Sequence, residues 1–193
     1  MKLRNYSPSD CEHLAALFYE TVHSLNAKDY TREQLDCWAS GNVNLLEWNA
    51  SFLDHWTVVA VEKNKIVGFG DLAPSGYLDR LFVHKDYQRR GIASAICNHL
   101  ESFAKETVMT HASITARPFF EHRGYKGIRK QAALRQGVSI PYFIMELTVQ
   151  QKEGTRYDQR NRPRYYFPPA ESPSRFTRGP ADSPGPVGHP GRP

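Results

Sequence analysis

Cysteine is scarce in this chain. Cys11, Cys37 and Cys97 are the only three among 193 residues, they are far apart, and no Cys-x-x-Cys occurs. A disulfide framework is excluded. The thiols read instead as buried and reduced, each inside a predicted helix among apolar residues, which suits a reducing compartment. No apolar run approaches the roughly 20 residues that a membrane span needs, and Met1-Lys-Leu-Arg-Asn-Tyr6 has no apolar leader segment. The expectation is a cytoplasmic protein with no membrane association. His-x-x-x-His is absent although there are eight histidines, so no metal site is expected. Gly-x-Ser-x-Gly is absent too, and no nucleophile for a covalent intermediate stands out.

Charge of one sign is also lacking over most of the chain. Residues 1–150 carry 17 Lys/Arg and 16 Asp/Glu, whereas residues 151–193 carry 8 and 4. The overall +5 thus says little about what the first part binds. Nine of the thirteen prolines lie between Arg162 and Pro193. Such a segment cannot bury enough apolar surface to offset its ordering entropy. The expectation is one domain over 1–149 and a disordered Pro/Arg-rich tail over 150–193. Tail arginines interleaved with Tyr157, Tyr165 and Tyr166 could contact single-stranded nucleic acid, but a solvated extension is the preferred reading.

What remains is an α/β pattern. Lys2–Tyr6 alternates as an edge strand. Ser7-Pro-Ser-Asp10 opens a helix with Leu14, Leu17, Phe18, Val22 and Leu25 on one face. Thr31-x-x-Gln34 is a second capping box before Leu35 and Trp38, with Gly41 closing that helix. Leu45–Leu53 is a third. Trp56–Val61, Ile66–Leu72 and Tyr77–Val83 read as three successive antiparallel strands. A helix over Ile92–Glu106 presents Ile92, Ile96, Leu100 and Phe103. Thr107–Ser113 would run parallel to Tyr77–Val83, because a helix crosses between them. Thr115 can cap a helix over Ala116–Arg123. Tyr125–Arg135 and Val138–Val149 form a last hairpin about Gln136-Gly137. The sum is a mixed sheet of about seven strands flanked by helices.

The join between the third strand and the long helix is the chemically telling stretch. His84-Lys-Asp-Tyr-Gln88-Arg-Arg-Gly91-Ile-Ala93-Ser94 delivers a basic, glycine-bearing loop to a helix N-terminus. Unpaired amides, the helix dipole and arginine forks make such a join a phosphate cradle. Gly91 removes the Cβ that would hold a ligand away.

Gln88-x-x-Gly91-x-Ala93 resembles the acyl-CoA signature of the GNAT N-acetyltransferases. Ala112-Ser-Ile-Thr-Ala-Arg-Pro-Phe-Phe-Glu-His-Arg-Gly-Tyr125 resembles their later strand–helix segment, closest to the YafP-like bacterial branch. The resemblance spans roughly residues 1–149. It implies the GNAT fold and an enzyme that transfers an acetyl group from acetyl-CoA to a primary amine of a small molecule or peptide, within a ternary complex. It further implies that Tyr77–Val83 splays from Thr107–Ser113. Backbone at Leu81, Phe82 and Val83 would then hold the pantetheine arm, and Gln88, Arg89, Arg90, Gly91, Ile92, Ala93 and Ser94 the diphosphate. Phe119 and Phe120 would pack beside the cofactor.

Asp79 is the candidate base, on a strand face shared with Tyr77, Leu81 and Val83 by period two. Its alternatives are a structural pair with Arg80 or Arg117, or Tyr77 as the base. Ser113 stands where the family pattern has Asn, as a hydrogen-bond donor or a strand-end cap. Phe120 stands where many members have a tyrosine that protonates the thiolate. Tyr142, Tyr125, Ser113 or water would replace it, or the thiolate leaves unprotonated, which a thiol pKa of about 8.5 permits. Tyr19, His23, Trp38, Trp48 and Tyr142 are candidates for the acceptor wall. An acyl-CoA-binding protein without efficient catalysis is the alternative function. A monomer or a homodimer fits equally.

Overall fold

The computed structural model describes residues 1–149. Expectations about 150–193, nucleic-acid contact included, lie outside the described residues. The strands are β1 (Lys2–Asn5), β2 (Trp56–Glu62), β3 (Lys65–Leu72), β4 (Tyr77–Val83), β5 (Thr107–Ser113), β6 (Lys126–Arg135) and β7 (Val138–Thr148). The helices are α1 (Cys11–Leu25), α2 (Arg32–Trp38), α3 (Leu45–Asp54), α4 (Ile92–Glu101) and α5 (Arg117–His122). All seven strands join one sheet in the order β1-β2-β3-β4-β5-β7-β6, with β4–β5 the parallel pair.

The local chemistry explains the elements. Asp10 accepts from the Ser7 N–H (2.8 Å) and grips Arg4 through both oxygens (2.7 and 2.8 Å), fixing the entry to α1. Thr31 and Gln34 cap each other at the start of α2. Lys63 and Asn64 both have positive φ (49° and 61°), the twist that a two-residue hairpin between β2 and β3 requires.

Two cores sandwich the sheet. On one side Ile92, Ile96, Cys97 and Leu100 of α4 bury against Val58, Val67, Leu78, Val108 and Met145. Complete burial of each large apolar side chain is worth about 1.5–3 kcal/mol. On the other side Leu14, Leu17, Phe18 and Val22 of α1 meet Leu35, Phe52, Val59, Phe69 and Ile140. Gly70 lets α4 approach: a Cβ there would lie 2.8 Å from Ile96 Cγ2 and 3.0 Å from the Arg80 carbonyl.

Four expectations are corrected. The long helix stops at Glu101 rather than Glu106. Phe103 and Ala104 donate instead to Leu100 O and Glu101 O in tight turns, and Phe103 leaves the helical face to stack on Trp56 (5.5 Å, 3° between planes). Thr115 does not cap α5, because its hydroxyl donates to Asp29 (2.6 Å); Ser113 Oγ takes the Ala116 N–H instead (3.0 Å). Cys37 is half-buried, unlike Cys11 and Cys97, with its sulfur beside the Gln136 side chain of the β6–β7 turn. Asp79 does not share a face with Leu81. The β3–β4 register runs Asp71↔Arg80 and then Leu72↔Leu78, so Asp79 is the extra residue of a bulge. Leu78 therefore packs in the α4 core with Leu81 and Val83.

Candidate active site

The parallel ladder between β4 and β5 is two pairs long, Tyr77↔Met109 and Leu78↔Thr110. Beyond it the strands diverge, and that edge of β4 runs on to Val83 with no register partner on β5. A cleft of about 2220 Å³ opens there and reaches from the β4–α4 loop to the inner face of β6 and β7.

At the loop end, Arg89 and Gly91 have φ of +61° and +74° on either side of Arg90, which is not positive. Alternation of this kind turns successive amides into an anion-binding nest. A Cβ built on Gly91 meets no protein atom within 4 Å, so any bulk there would intrude on the cleft rather than on the fold. Gln88 steadies the loop by donating to Val83 O (2.6 Å) and His84 O (3.3 Å). Its amide donors serve the backbone. Arg90 is turned away from the cleft. Its guanidinium lies 3.5 Å from Glu62 and 4.8 Å above the Tyr87 ring, so its fork is not aimed at the nest. Leu81, Phe82, Val83, Arg89, Ile92, Ala93, Ser94, Phe119 and Phe120 all line the cleft. The cradle, the bare Cβ position and the unpaired β4 edge together fit a diphosphate with an extended amide-bearing arm.

At the apex, Tyr77, Asp79, His111, Ser113 and Tyr142 come together on the cleft wall. Asp79 Oδ2 is 3.2 Å from Arg80 Nη2. Arg80 is itself anchored beneath the apex, donating from Nε and Nη2 to the two oxygens of fully buried Asp71 (2.9 and 2.8 Å) and to Ser51 Oγ (2.5 Å). His55 Nδ1 completes the group at 2.6 Å from Asp71. Burial works against a charged Asp71, but Arg80 and His55 outweigh it and hold the carboxyl below its usual range. His55, Asp71 and Asp79 bring ligand atoms within 4.8 Å of one another. The guanidinium already supplies the cation that such a trio would attract. The Tyr77 phenol is driven upward, by burial first and by Asp79 next. A phenol in that state is a hydrogen-bond donor, not a base.

His111 was not legible as a site residue. It projects from β5 between the Tyr77 ring (5.2 Å) and the Tyr142 ring (4.6 Å). Partial desolvation against the two rings lowers its pKa, although the side chain remains open to the cleft. The available signal was the alternation in β5, where Val108, Thr110 and Ala112 are buried and His111 points to the other face.

The hydroxyl alternatives separate. Tyr125 is buried in the α4 core with its hydroxyl on Glu101 (2.9 Å) and does not reach the cleft. Ser113 accepts from the Ala116 N–H and from Asn26 (3.4 Å), which makes it a strand-end cap. Tyr142 stands on the wall beside Gln131. The Gln131 amide is best satisfied with its oxygen toward Arg129 Nε and Nη2 (both 3.0 Å) and its nitrogen donating to Tyr142 Oη (2.9 Å). Tyr142 then keeps its own proton to give. Phe120 is 3% exposed and packs on Tyr125.

Of the proposed acceptor wall, Trp38, Trp48 and Tyr142 line the cleft. Tyr19 and His23 do not. Their rings lie 4.3 Å apart, tilted by 38°, and His23 bonds Ala39 O at 2.9 Å. Tyr30, unremarked in the sequence, ties the wall together by donating to Pro141 O and accepting from Ile114 N–H, both at 2.8 Å.

The profile of the acetyltransferase (GNAT) domain family matches residues 26–149. The chain belongs to the GNAT acetyltransferase family. It is 32% identical over 150 residues to YafP, an uncharacterized N-acetyltransferase of Escherichia coli, covering 78% of this chain and 97% of YafP. Among solved structures, a GCN5-related N-acetyltransferase from Rhodopseudomonas palustris superposes with a TM-score of 0.73 at 29% identity, over 77% of this chain and 95% of the other. PaiA N-acetyltransferase from Thermoplasma acidophilum, solved with coenzyme A, shares the fold at a TM-score of 0.62 and 16% identity, over 77% and 98% of the two chains. GNAT membership makes this protein an acetyl-CoA-dependent acyltransferase. No helix among the described residues of this GNAT domain is long and apolar enough to cross a membrane.

Proposed function

We propose that this enzyme acetylates a primary amine of a small molecule by direct attack on acetyl-CoA held in the cleft. The observation that carries this reading is the β4–β5 ladder ending after two pairs, beside a glycine-bearing nest at the start of α4. The solved complex of YncA from Salmonella typhimurium with acetyl-CoA, of the same fold (TM-score 0.55), supports the choice of donor. Bound acetyl-CoA supplies an activated carbonyl; a C–N bond forms and the C–S bond breaks, while the ammonium nitrogen gives up two protons, one before attack and one as the amide forms, the second balancing the proton delivered to the departing thiolate.

In this reading the Leu81–Val83 edge, which has no register partner on β5, grips the arm, and the amides from Arg89 to Ser94 hold the phosphates. Asp79, paired to Arg80, draws the ammonium to the apex. His111, its pKa lowered by partial desolvation, takes the proton that Asp79 was first expected to take. Tyr142 supplies the proton donor that Phe120 cannot. Alignment of the two substrates alone can remove several kcal/mol of barrier. Free cysteines, two of them buried, favour a cytoplasmic setting.

The deciding experiment pairs acetyl-CoA titration with thiol release on an amine panel. Tight binding with thiol release on at least one amine supports the transferase. Binding without turnover on any amine favours the alternative, an acyl-CoA-binding protein.

A further inference from the structure

The far end of the cleft carries charge that amine acetylation does not require. Lys28, Arg129 and Arg135 stand in the cleft lining, and the acid of the same lining is Asp79 at the apex. A plain cation such as a polyamine would meet repulsion along most of this wall. A molecule with an ammonium at one end and an anion at the other would meet complementary charge at both.

The register fixes where those ends fall. His111 is cross-strand from Ile144, and Ile144 is cross-strand from Arg129. The three form one row on one face of the sheet, with the apex at one end and Arg129 at the other. Two strand spacings of about 4.8 Å put the outer Cα atoms roughly 10 Å apart, and the long arginine side chain can shorten that span. Gln131 occupies the Nε–Nη2 edge of the guanidinium at 3.0 Å. Among the described residues no carboxylate comes within ion-pair distance of Arg129, which leaves the Nη1 side for a planar anion in the forked geometry that arginine favours. Glu146 follows Ile144 on the same face, but its cross-strand partner is Lys126 and it lies outside the cleft lining. Ile144, between His111 and Arg129 in that row, and Tyr142 beside it supply an apolar flank between the two charged ends.

We infer that the acceptor is an acidic amine, its nitrogen at Asp79 and His111 and its carboxylate or phosphate at Arg129. The inference rests on the transferase reading and narrows it.

The test uses matched pairs that differ only in the acidic group: phenylalanine and 2-phenylethylamine, 5-aminovalerate and pentylamine, O-phosphoethanolamine and ethanolamine, with putrescine as a pure dication. Thiol release by the full chain should favour the acidic member of at least one pair by 10-fold or more in kcat/KM. The pair that shows it tells carboxylate from phosphate. Arg129→Gln should collapse that ratio toward one through KM, and Arg129→Glu should invert it, with acetyl-CoA affinity unchanged as the control for folding. Equal turnover of acidic and neutral members, or best turnover of putrescine, overturns the inference and leaves the transferase standing.

Tryptophan fluorescence gives a readout free of catalysis. N-acetylphenylalanine should bind at least 10-fold more tightly than N-acetylphenylethylamine. If no amine is acetylated yet this preference holds, the transferase reading falls and the anion site survives. If neither product analogue binds and no acidic amine reacts, the inference falls.

Discussion

Asp79 on β4 and His111 on β5 stand one step beyond the last pair of the parallel ladder, where the two strands part. A bulge frees Asp79 from its β3 partner, and strand alternation turns His111 to the same side as Tyr77. Two titratable groups thus flank the point at which the sheet opens, with different partners: an ion pair for Asp79, aromatic rings for His111.

His111→Gln should lower kcat by roughly 10²–10⁴, the range for loss of a general base, with acetyl-CoA affinity kept. The pH profile is the sharper check. Burial depresses the imidazole, so the acid limb of kcat/KM should fall below the ordinary histidine value of about 6.5, and the variant should lose that limb. The same depression sets a stability sign. Between the lowered folded value and about 6.5 the unfolded chain binds more protons, so this contribution is complete above that window and fades as pH drops through it. An unshifted limb in His111→Gln would remove histidine from the mechanism.

Arg80→Ala should destabilise the fold by about 3–5 kcal/mol, because it strands a buried carboxylate. Arg80→Ala with Asp71→Ala should recover much of that loss. Chemical denaturation measures both. Asp79→Asn leaves the Asp71 pair intact, so it should reduce turnover with little change in melting temperature.

Tyr142→Phe should slow turnover while leaving amine KM near its starting value. Adding Phe120→Tyr places a hydroxyl where many family members have one and should restore part of the rate. No loss in the single variant would mean that the thiolate leaves unprotonated, which a thiol pKa of about 8.5 permits.

Gly91→Ala isolates the cradle. Its Cβ would meet no protein atom, and the positive φ costs about 1–2 kcal/mol. Acetyl-CoA affinity should fall well beyond what melting explains. Gly70→Ala is the contrast: its Cβ would press on Ile96 and the Arg80 carbonyl. Overpacking of about 1–3 kcal/mol should appear as lost stability, with KM little changed.

Strand and helix periodicity, the two capping boxes and the Gln88–Ala93 loop were readable because each depends on neighbours in sequence. The β4 bulge was not, since it arises from how β3 presents Asp71. Nor was the outward turn of Arg90, which answers to Glu62 on β2. The placement of β7 between β5 and β6 is likewise a long-range choice. It decides which row Arg129 joins, so the charged far wall could not be assembled from the sequence alone.

Gln88 clasps the carbonyl at the end of β4, which holds the forked sheet in its receptive shape before any partner arrives. In the function proposed above, the incoming thioester docks as a surrogate strand into a groove already cast. Encounter should be quick and free of a slow isomerisation, and the step that limits each cycle should be the spent carrier peeling away from its borrowed place in the sheet.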